Sequence, residues 1–379
     1  MRLGICGPVE TMGLAAHLPG GANPPAGLGG SPVVSLALAA LARGWRVTVF
    51  SLDPEVTEEY IAEGPTGLRL CMGPYRRRYR ARDGFQQERE SVARQIRRER
   101  PDVVHAHWTY EFALGALDSG VPAVVTAHDR PLHVLRWNPS PYRLVRTWMA
   151  RMVSRRAPRM TAVSQKVANH FREWMGCRQS PVVIPNAVSA EWFAARPHNG
   201  GYAVTFAAVL TGWGEMKNGR TLLEAFGRVR RTLRDARLVL FGHGHGPGEG
   251  AEQWAMDAGL RAGVSFAGHV PANVMREVLR RTDVLVHPSR EESYSMAIAE
   301  AMASSIPVIA ARQSAAIVDA STAVLVDAND AGEMAEEMLR LANDPARRTL
   351  LADRANQRAR ECFWPETVLD RYAEIYRSL

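Results

Sequence analysis

The sequence predicts an α/β protein built as two successive domains, each a parallel sheet covered by helices. Three observations carry this expectation. The chain has 379 residues, more than the roughly 250–300 at which a single hydrophobic core stops growing. Short apolar runs alternate with longer amphipathic ones, the signature of β-α-β units. The alternation breaks at Arg196-Pro197-His198-Asn199-Gly200-Gly201, which has no apolar period, and then starts afresh. The expected domains are residues 1–195 and 196–362, with 363–379 a terminal helix packing back on the first.

In the first half, Leu3–Cys6, Arg46–Phe50, Val103–His105, Ala123–Thr126 and Met160–Val163 are compact apolar runs that read as strands. Pro32–Ala42, Gln86–Arg98, Tyr142–Arg155 and Gln165–Met175 read as the helices between them, and Val182–Ile184 adds a short strand. In the second half the strands are Ala203–Val209, Leu238–Phe241, Val264–Ala267, Val284–Val286, Val308–Ala310 and Val324–Val326. Helices are expected at Thr221–Arg231, Ala272–Arg281, Met296–Ala303, Ala331–Leu341 and Pro345–Arg360. A last amphipathic helix begins near Pro365, carrying Val368, Leu369, Tyr372 and Ile375.

With 46% hydrophobic and 23% charged residues the composition is that of a globular protein. No apolar stretch reaches the roughly 18–20 residues of a membrane span, and the chain opens on a strand rather than on the basic and apolar segments of a secretory signal. A cytoplasmic location is the expectation. Cys6, Cys71, Cys177 and Cys362 lie far apart, without metal-ligand spacing. The net charge of +8 rests on arginine, since Lys166 and Lys217 are the only lysines. Such a field attracts nucleotide sugars, phosphorylated acceptors and anionic membranes alike. No basic run forms a recognition helix or an RNA-binding strand pair, so no specific nucleic acid partner is expected.

Arg76, Arg77, Arg78, Arg80 and Arg82, among Tyr75 and Tyr79, are either a solvated loop or a contact for an anionic acceptor. Between Arg143 and Arg156, Leu144, Val145, Trp148, Met149, Met152 and Val153 fall on one helical side. That pattern is either a packed helix with a basic outer face or one that touches an anionic membrane reversibly, peripherally at the inner membrane face.

Chemistry-bearing residues gather where strands end, and in a parallel sheet the carboxyl edge faces the ligand crevice. His105 and His107 close one strand and His128 and Asp129 the next, for ligand contact or for hydrogen-bonded packing; Asp129 either orients His128 or caps a turn. Gly27, Gly29 and Gly30 precede a helix whose first amides suit a phosphate, the other reading being a flexible loop. Gly242-His243-Gly244-His245-Gly246 is a turn for backbone contact with a nucleotide or a plain surface turn; a metal there would need further ligands.

The strongest constellation is Lys217-Asn218 with the later run Glu292, Ser293, Tyr294, Ser295, Met296 and Glu300. Lys217 offers a diphosphate three charged donors, and the helix start at Ser293–Met296 offers backbone amides. Glu300 has the chemistry to accept both hydroxyls of a ribose, and Glu292 suits sugar hydroxyls. Capping and solvation are the alternative roles.

With HAHW at His105–Trp108, TAHD at Thr126–Asp129, VSQKVANHF at Val163–Phe171, VIPNAV at Val183–Val188, KN at Lys217–Asn218 and EESYSMAIAEAMASSIPVIA at Glu291–Ala310, the sequence resembles the retaining family 4 glycosyltransferases. The most specific element is the pair Glu292 and Glu300 in E-x7-E spacing. The resemblance implies the GT-B fold, two Rossmann-like α/β/α domains facing a deep interdomain cleft. It implies hexosyl transfer from a nucleotide-diphosphate sugar, the donor substrate, to a hydroxylated acceptor with retention of configuration. No cofactor or metal is expected, because Lys217 and helix-start amides could neutralise the diphosphate and the sequence lacks an aspartate cluster suited to magnesium. Gly29 and Gly30 would approach donor phosphate and acceptor, and His128 the reacting sugar. Lys217 would clamp the diphosphate, Glu292 the sugar and Glu300 the ribose. Ser295 and Met296 would face phosphate, and Val270 would lie near the base pocket through its backbone. The chain departs from the pattern twice: no basic residue stands in Ala208–Gly212 ahead of Lys217, and Ser293-Tyr294 replaces an aromatic-glycine pair. A nucleotide-sugar epimerase and a non-catalytic nucleotide-sugar-binding protein are the competing readings.

Overall fold

The computed structural model describes residues 1–20, 22–194 and 203–379, so the linker expected at 196–201 lies outside the described residues. The chain divides into two compact units, Met1–Ser189 with Trp364–Leu379, and Ala190–Phe363. The first unit therefore closes before residue 195, and the chain rejoins it at Trp364.

Unit 1 holds β1 (Arg2–Cys6), α1 (Ser31–Ala42), β2 (Arg46–Asp53), β3 (Tyr60–Glu63), β4 (Leu68–Pro74), α2 (Gln86–Glu99), β5 (Val103–His107), α3 (Glu111–Ser119), β6 (Ala123–Ala127), α4 (Pro131–Trp137), α5 (Pro141–Arg156), β7 (Arg159–Ala162), α6 (Gln165–Trp174) and β8 (Val182–Val183). The sheet order is β3-β4-β2-β1-β5-β6-β7-β8, parallel except where β3 pairs antiparallel with β4. The order reverses between β1 and β5, which places the crevice of a doubly wound sheet beyond their carboxyl ends. The sequence reading omits β3 and β4. β3 is an edge strand with alternately exposed residues, and Arg69 interrupts the apolar run of β4 because Glu63 and Glu99 hold its guanidinium at the sheet edge. It also omits α3, which is buried on nearly every side and so shows no amphipathic period.

Unit 2 holds β9 (Thr205–Val209), α7 (Gly219–Thr232), β10 (Arg237–Phe241), α8 (Gly250–Asp257), β11 (Val264–Gly268), α9 (Ala272–Leu279), β12 (Val284–His287), α10 (Met296–Ala303), β13 (Val308–Ala311), β14 (Val324–Val326), α11 (Ala331–Asn343) and α12 (Pro345–Phe363). Its sheet is β11-β10-β9-β12-β13-β14, parallel throughout, over a core that includes Phe206, Leu222, Phe226, Leu238, Val284 and Ile309. Here too the order turns at the first strand, β9, between β10 and β12.

The last helix, α13 (Pro365–Arg377), belongs to unit 1. Val368, Leu369, Tyr372 and Tyr376 enter the same core as Leu3, Val33 and Val49. The Tyr376 hydroxyl lies 2.7 Å from His105 Nδ1, and Arg371 donates to the Val183 carbonyl at 2.6 Å.

α5 is turned relative to the expected packed side. Met149, Ala150, Val153 and Ser154 are buried, whereas Leu144 is 58% and Trp148 53% exposed. The cause is an inward arginine: Arg146 bonds Glu111 at 3.3 Å and lies 3.6 Å over the Tyr110 ring. Arg146, Met149, Ala150 and Val153 then share one face at i, i+3, i+4, i+7 spacing, and Leu144 and Trp148 go outward. Among the described residues no helix is long and apolar enough to cross a membrane.

Candidate functional site

In unit 1 the carboxyl ends of β5 and β6 bring three histidines into a row. His105 is spent on packing, with Nδ1 bonded to Tyr376 and Nε2 2.6 Å from Thr126 Oγ1. His107 Nδ1 meets His128 Nε2 at 3.0 Å, and Trp108, at a left-handed φ of 61°, stacks on His128 with ring centres 4.1 Å apart. Burial pushes His107 down to about 3. Burial, then the neighbouring His107, hold His128 well below the usual histidine range. Both rings are neutral at physiological pH, one donating to the other. Asp129 does not orient His128: it accepts from Tyr110 Oη at 2.7 Å, and His107 and Trp108 fix the ring instead.

The glycine loop before α1 is held from behind, since the Gly27 amide donates to Asp53 at 2.7 Å. Gly30 starts α1 at φ 105°, and a Cβ there would fall 2.2 Å from the Pro8 carbonyl. Gly29, at φ 82°, faces open space. Gly30→Ala should therefore lower Tm clearly more than Gly29→Ala, which adds only the cost of a left-handed alanine, about 1–2 kcal/mol. Equal Tm losses by scanning calorimetry would contradict this assignment.

In unit 2 the loop after β9 carries Lys217 to Glu292, Nζ donating to Oε1 at 2.6 Å, while His287 Nε2 lies 3.2 Å from the same oxygen. Burial alone would raise the Glu292 carboxyl. The hydrogen bond and charge of His287, followed by those of Lys217, outweigh it and hold Glu292 at about 2. Glu292 is thus an ionised acceptor and a poor proton donor. Asn218 accounts for the placement of Lys217. At φ 58° and 3% exposed, it donates to the carbonyls of Pro288 at 3.0 Å and Ala328 at 2.6 Å and accepts from Thr221 at 2.7 Å. One amide thereby ties the loop after β9 to those after β12 and β14.

Ser295 caps α10 from φ 75°, its Oγ accepting from the Ile298 amide at 3.4 Å. The first-turn amides of α10, beginning at Met296, lack intrahelical acceptors and present partial positive charge beside Lys217 and Glu292. Glu300, further along α10, is 8% exposed. Burial, only partly offset by Arg276, pushes its carboxyl up to about 8. Among the described residues no hydrogen bond or ion pair reaches that carboxyl, so it is a buried acceptor lacking a partner. Gly242, at φ 105°, sits where a Cβ would lie 2.0 Å from the Leu210 carbonyl, and its amide donates to Gly268, tying the end of β10 to that of β11. Val270 is half-buried between β11 and α9. The rings of His243 and His269 stack 4.3 Å apart, and among the described residues no group of three or more His, Cys, Asp or Glu is placed to hold a metal.

The family described as Glycosyltransferase Family 4 matches residues 31–192, and Glycosyl transferases group 1 matches residues 202–344. Sucrose-phosphate synthase from Thermosynechococcus elongatus superimposes with a TM-score of 0.78 at 17% identity, covering 100% of this chain and 98% of that one. The chain has the GT-B glycosyltransferase fold. An Anabaena GT-B protein, HepE, solved in complex with UDP and glucose, superimposes with a TM-score of 0.70 at 17% identity over 100% of both chains. Among curated proteins, a D-inositol 3-phosphate glycosyltransferase of Thermomonospora curvata is 36% identical over 138 residues, 36% of this chain and 32% of the relative. The matched part spans well under half the length of the first such relatives.

Two residues that shape the unit 2 cluster escape sequence reading. His287 closes β12 and reads as a strand residue, although it stands only five positions before Glu292 and its ring turns back to it. Trp213 fills the loop where a basic residue was expected, its ring lying over Gly219 and Gly250 where a Cβ would come within 2.6 and 2.8 Å. Those two glycines, each opening a helix, were the available signal.

Proposed function

We propose that this GT-B chain is a retaining glycosyltransferase that moves a hexose-like sugar from a nucleotide-diphosphate sugar to a hydroxyl acceptor. The observation that carries the reading is the pairing of Lys217 with Glu292 across the loops after β9 and β12, immediately ahead of the first-turn amides of α10. In the proposed reaction the bond from the anomeric carbon to the diphosphate oxygen breaks, the acceptor oxygen bonds to that carbon on the same face, and the acceptor proton passes to the departing phosphate. Lys217 and the amides of Ser295 and Met296 stabilise the charge on the leaving group without need of a metal ion. Glu292, ionised, accepts from sugar hydroxyls, and Glu300 accepts from the ribose. Gly242 and Val270 offer backbone beside the base. Neutral His128, with Gly29 and Gly30, shapes the sugar and acceptor side. The test is a mass-spectrometric screen of donors and acceptors in chelator, starting from UDP-glucose, with nuclear magnetic resonance of the new linkage. Inversion, a strict need for added metal, or a changed sugar still attached to nucleotide would each overturn a named part of this reading.

Glu300 supplies a pH test. Its raised pKa makes the folded chain hold a proton that the unfolded chain releases near pH 4.5, so this group favours folding most at low pH and loses that contribution as pH rises toward 8. A donor whose ribose hydroxyls bond the ionised carboxyl should bind more tightly as pH rises from 6 toward 8 and should release a proton. Glu300→Gln should bind weakly and without that pH dependence; calorimetry in buffers of different ionisation enthalpy reads both.

Peripheral contact with an anionic membrane is supported by exposed Leu144 and Trp148 on the same helix as exposed Arg151 and Arg155. Co-sedimentation with phosphatidylglycerol vesicles, lost in Leu144→Ser/Trp148→Ser and absent with phosphatidylcholine, is the expected result.

A further inference from the structure

A nucleobase binds well against an aromatic face, and the loops at the carboxyl edge of the unit 2 sheet hold few rings free to offer one. Tyr294 is 4% exposed and packs on Phe363, and His245 and His287 are buried. Trp213 is wedged against Gly219 and Gly250 and meets His245 edge-on. All four are spent on packing. Among the described residues of those loops, His243 after β10 and His269 after β11 are the rings left exposed. They lie face to face, centres 4.3 Å apart at 14°. The backbone builds this stack. The Gly242 amide donates to the Gly268 carbonyl at 2.8 Å, the Gly268 amide to the His245 carbonyl at 3.1 Å, and the Gly212 amide to the His243 carbonyl at 2.8 Å. A Cβ on Gly268 would fall 2.8 Å from the Gly246 Cα, so glycine is what lets the two loops close to this spacing. Both rings are thereby held in place before any ligand arrives.

Their place fits the far end of a nucleotide. In the sheet β10 and β11 lie one and two strands out from β9, whose loop carries Lys217, roughly 5 and 10 Å from the strand of the phosphate-side lysine. Arg276 on α9 acts on Glu300, so the ribose-side carboxyl lies near α9, and His269 and Val270 lead into that helix. We propose that His243 and His269 together form the stacking platform for the nucleobase of the donor. The platform rests on the nucleotide-sugar reading above. A flat face accepts every base, so the pair supplies affinity, while choice among bases falls to the ring N–H groups and the backbone of Gly242 and Val270 around it.

The test uses the full chain labelled with 13C-histidine, its ring signals assigned through His243→Phe and His269→Phe. It is titrated with UDP, GDP, ADP and dTDP, and with pyrophosphate as a diphosphate without a base. The nucleotide that binds most tightly should move the carbon-bound ring protons of the pair upfield and saturably, the shielding a stacked base produces, and pyrophosphate should leave them in place. His243→Ala/His269→Ala should weaken that nucleotide at least about fivefold, the lower end of the loss of one base-stacking contact, with pyrophosphate affinity unchanged. His243→Phe/His269→Phe keeps the flat faces and loses the N–H groups, so it should bind the same nucleotide within about twofold of the wild type. Rings that stay put while a nucleotide saturates the chain, or that move equally with pyrophosphate, overturn the platform and leave the nucleotide-sugar reading standing. So does a folded double-alanine variant with wild-type nucleotide affinity. Binding of none of these nucleotides sinks the nucleotide-sugar reading itself and takes the platform with it.

Discussion

Replacing Lys217 by alanine is expected to lower kcat/KM for the donor by about 10²–10³-fold, the usual cost of removing one preorganised charge-stabilising donor from an active site. The same change should act on Glu292, whose ammonium partner at 2.6 Å disappears. Glu292 is held at about 2 in the folded chain, so it contributes stability above the unfolded value near 4.5 and loses it as pH falls toward 2. Without Lys217 that contribution shrinks, and His287 is left to hold a buried carboxylate alone. Acid unfolding of the variant should therefore begin at higher pH than in the wild type. Steady-state kinetics and pH-jump circular dichroism check the two halves; wild-type kcat/KM in a correctly folded variant would remove Lys217 from the proposed clamp.

The largest expected effect on stability falls on Asn218. Asn218→Ala strips two buried carbonyls, Pro288 and Ala328, of their donor and places alanine at φ 58°. Together these cost roughly 3–5 kcal/mol. Asn218→Gly relieves the backbone and leaves the carbonyls bare, so it should fall between alanine and wild type. Hydrogen exchange resolves the effect by place: amides of β12, β14 and the start of α7 should lose protection together, while those of unit 1 keep theirs. Unchanged exchange at β14 would show that the amide does not carry that connection.

The same residue shows where sequence reading stops. Lys217-Asn218 stood out as a pair, yet nothing in the sequence marks Asn218 as the residue that binds three loops, because its partners are backbone carbonyls 70 and 110 positions away. The strands of both sheets were legible wherever burial on two faces produced an apolar run, as in β5, β6, β12 and β13. Edge strand β3 and nearly buried α3 were not, since the first lacks an apolar run and the second shows only a narrow polar stripe. α5 misled for a related reason. Hydrophobic periodicity assumes arginine faces water, and Arg146 turns inward to Glu111 and Tyr110. Among the candidate residues, Glu292 and Glu300 could be read from spacing, but their opposite protonation could not. One has His287 from five residues earlier and Lys217 brought to it by a distant loop; the other has burial and no partner.

The return of α13 to unit 1 sets an order of manufacture. A ribosome delivers residues 1–189 first, yet the core around Leu3, Val33 and Val49 is complete only when Val368, Leu369, Tyr372 and Tyr376 arrive. All of unit 2 must be synthesised in between, about ten seconds or more at usual elongation rates. During that interval the nascent first unit exposes the apolar face that α13 will cover, and the His105 imidazole waits for the Tyr376 hydroxyl. The half of the chain made first is the half finished last, so arrested or truncated translation leaves a greasy unit 1 for the cell's chaperones to hold.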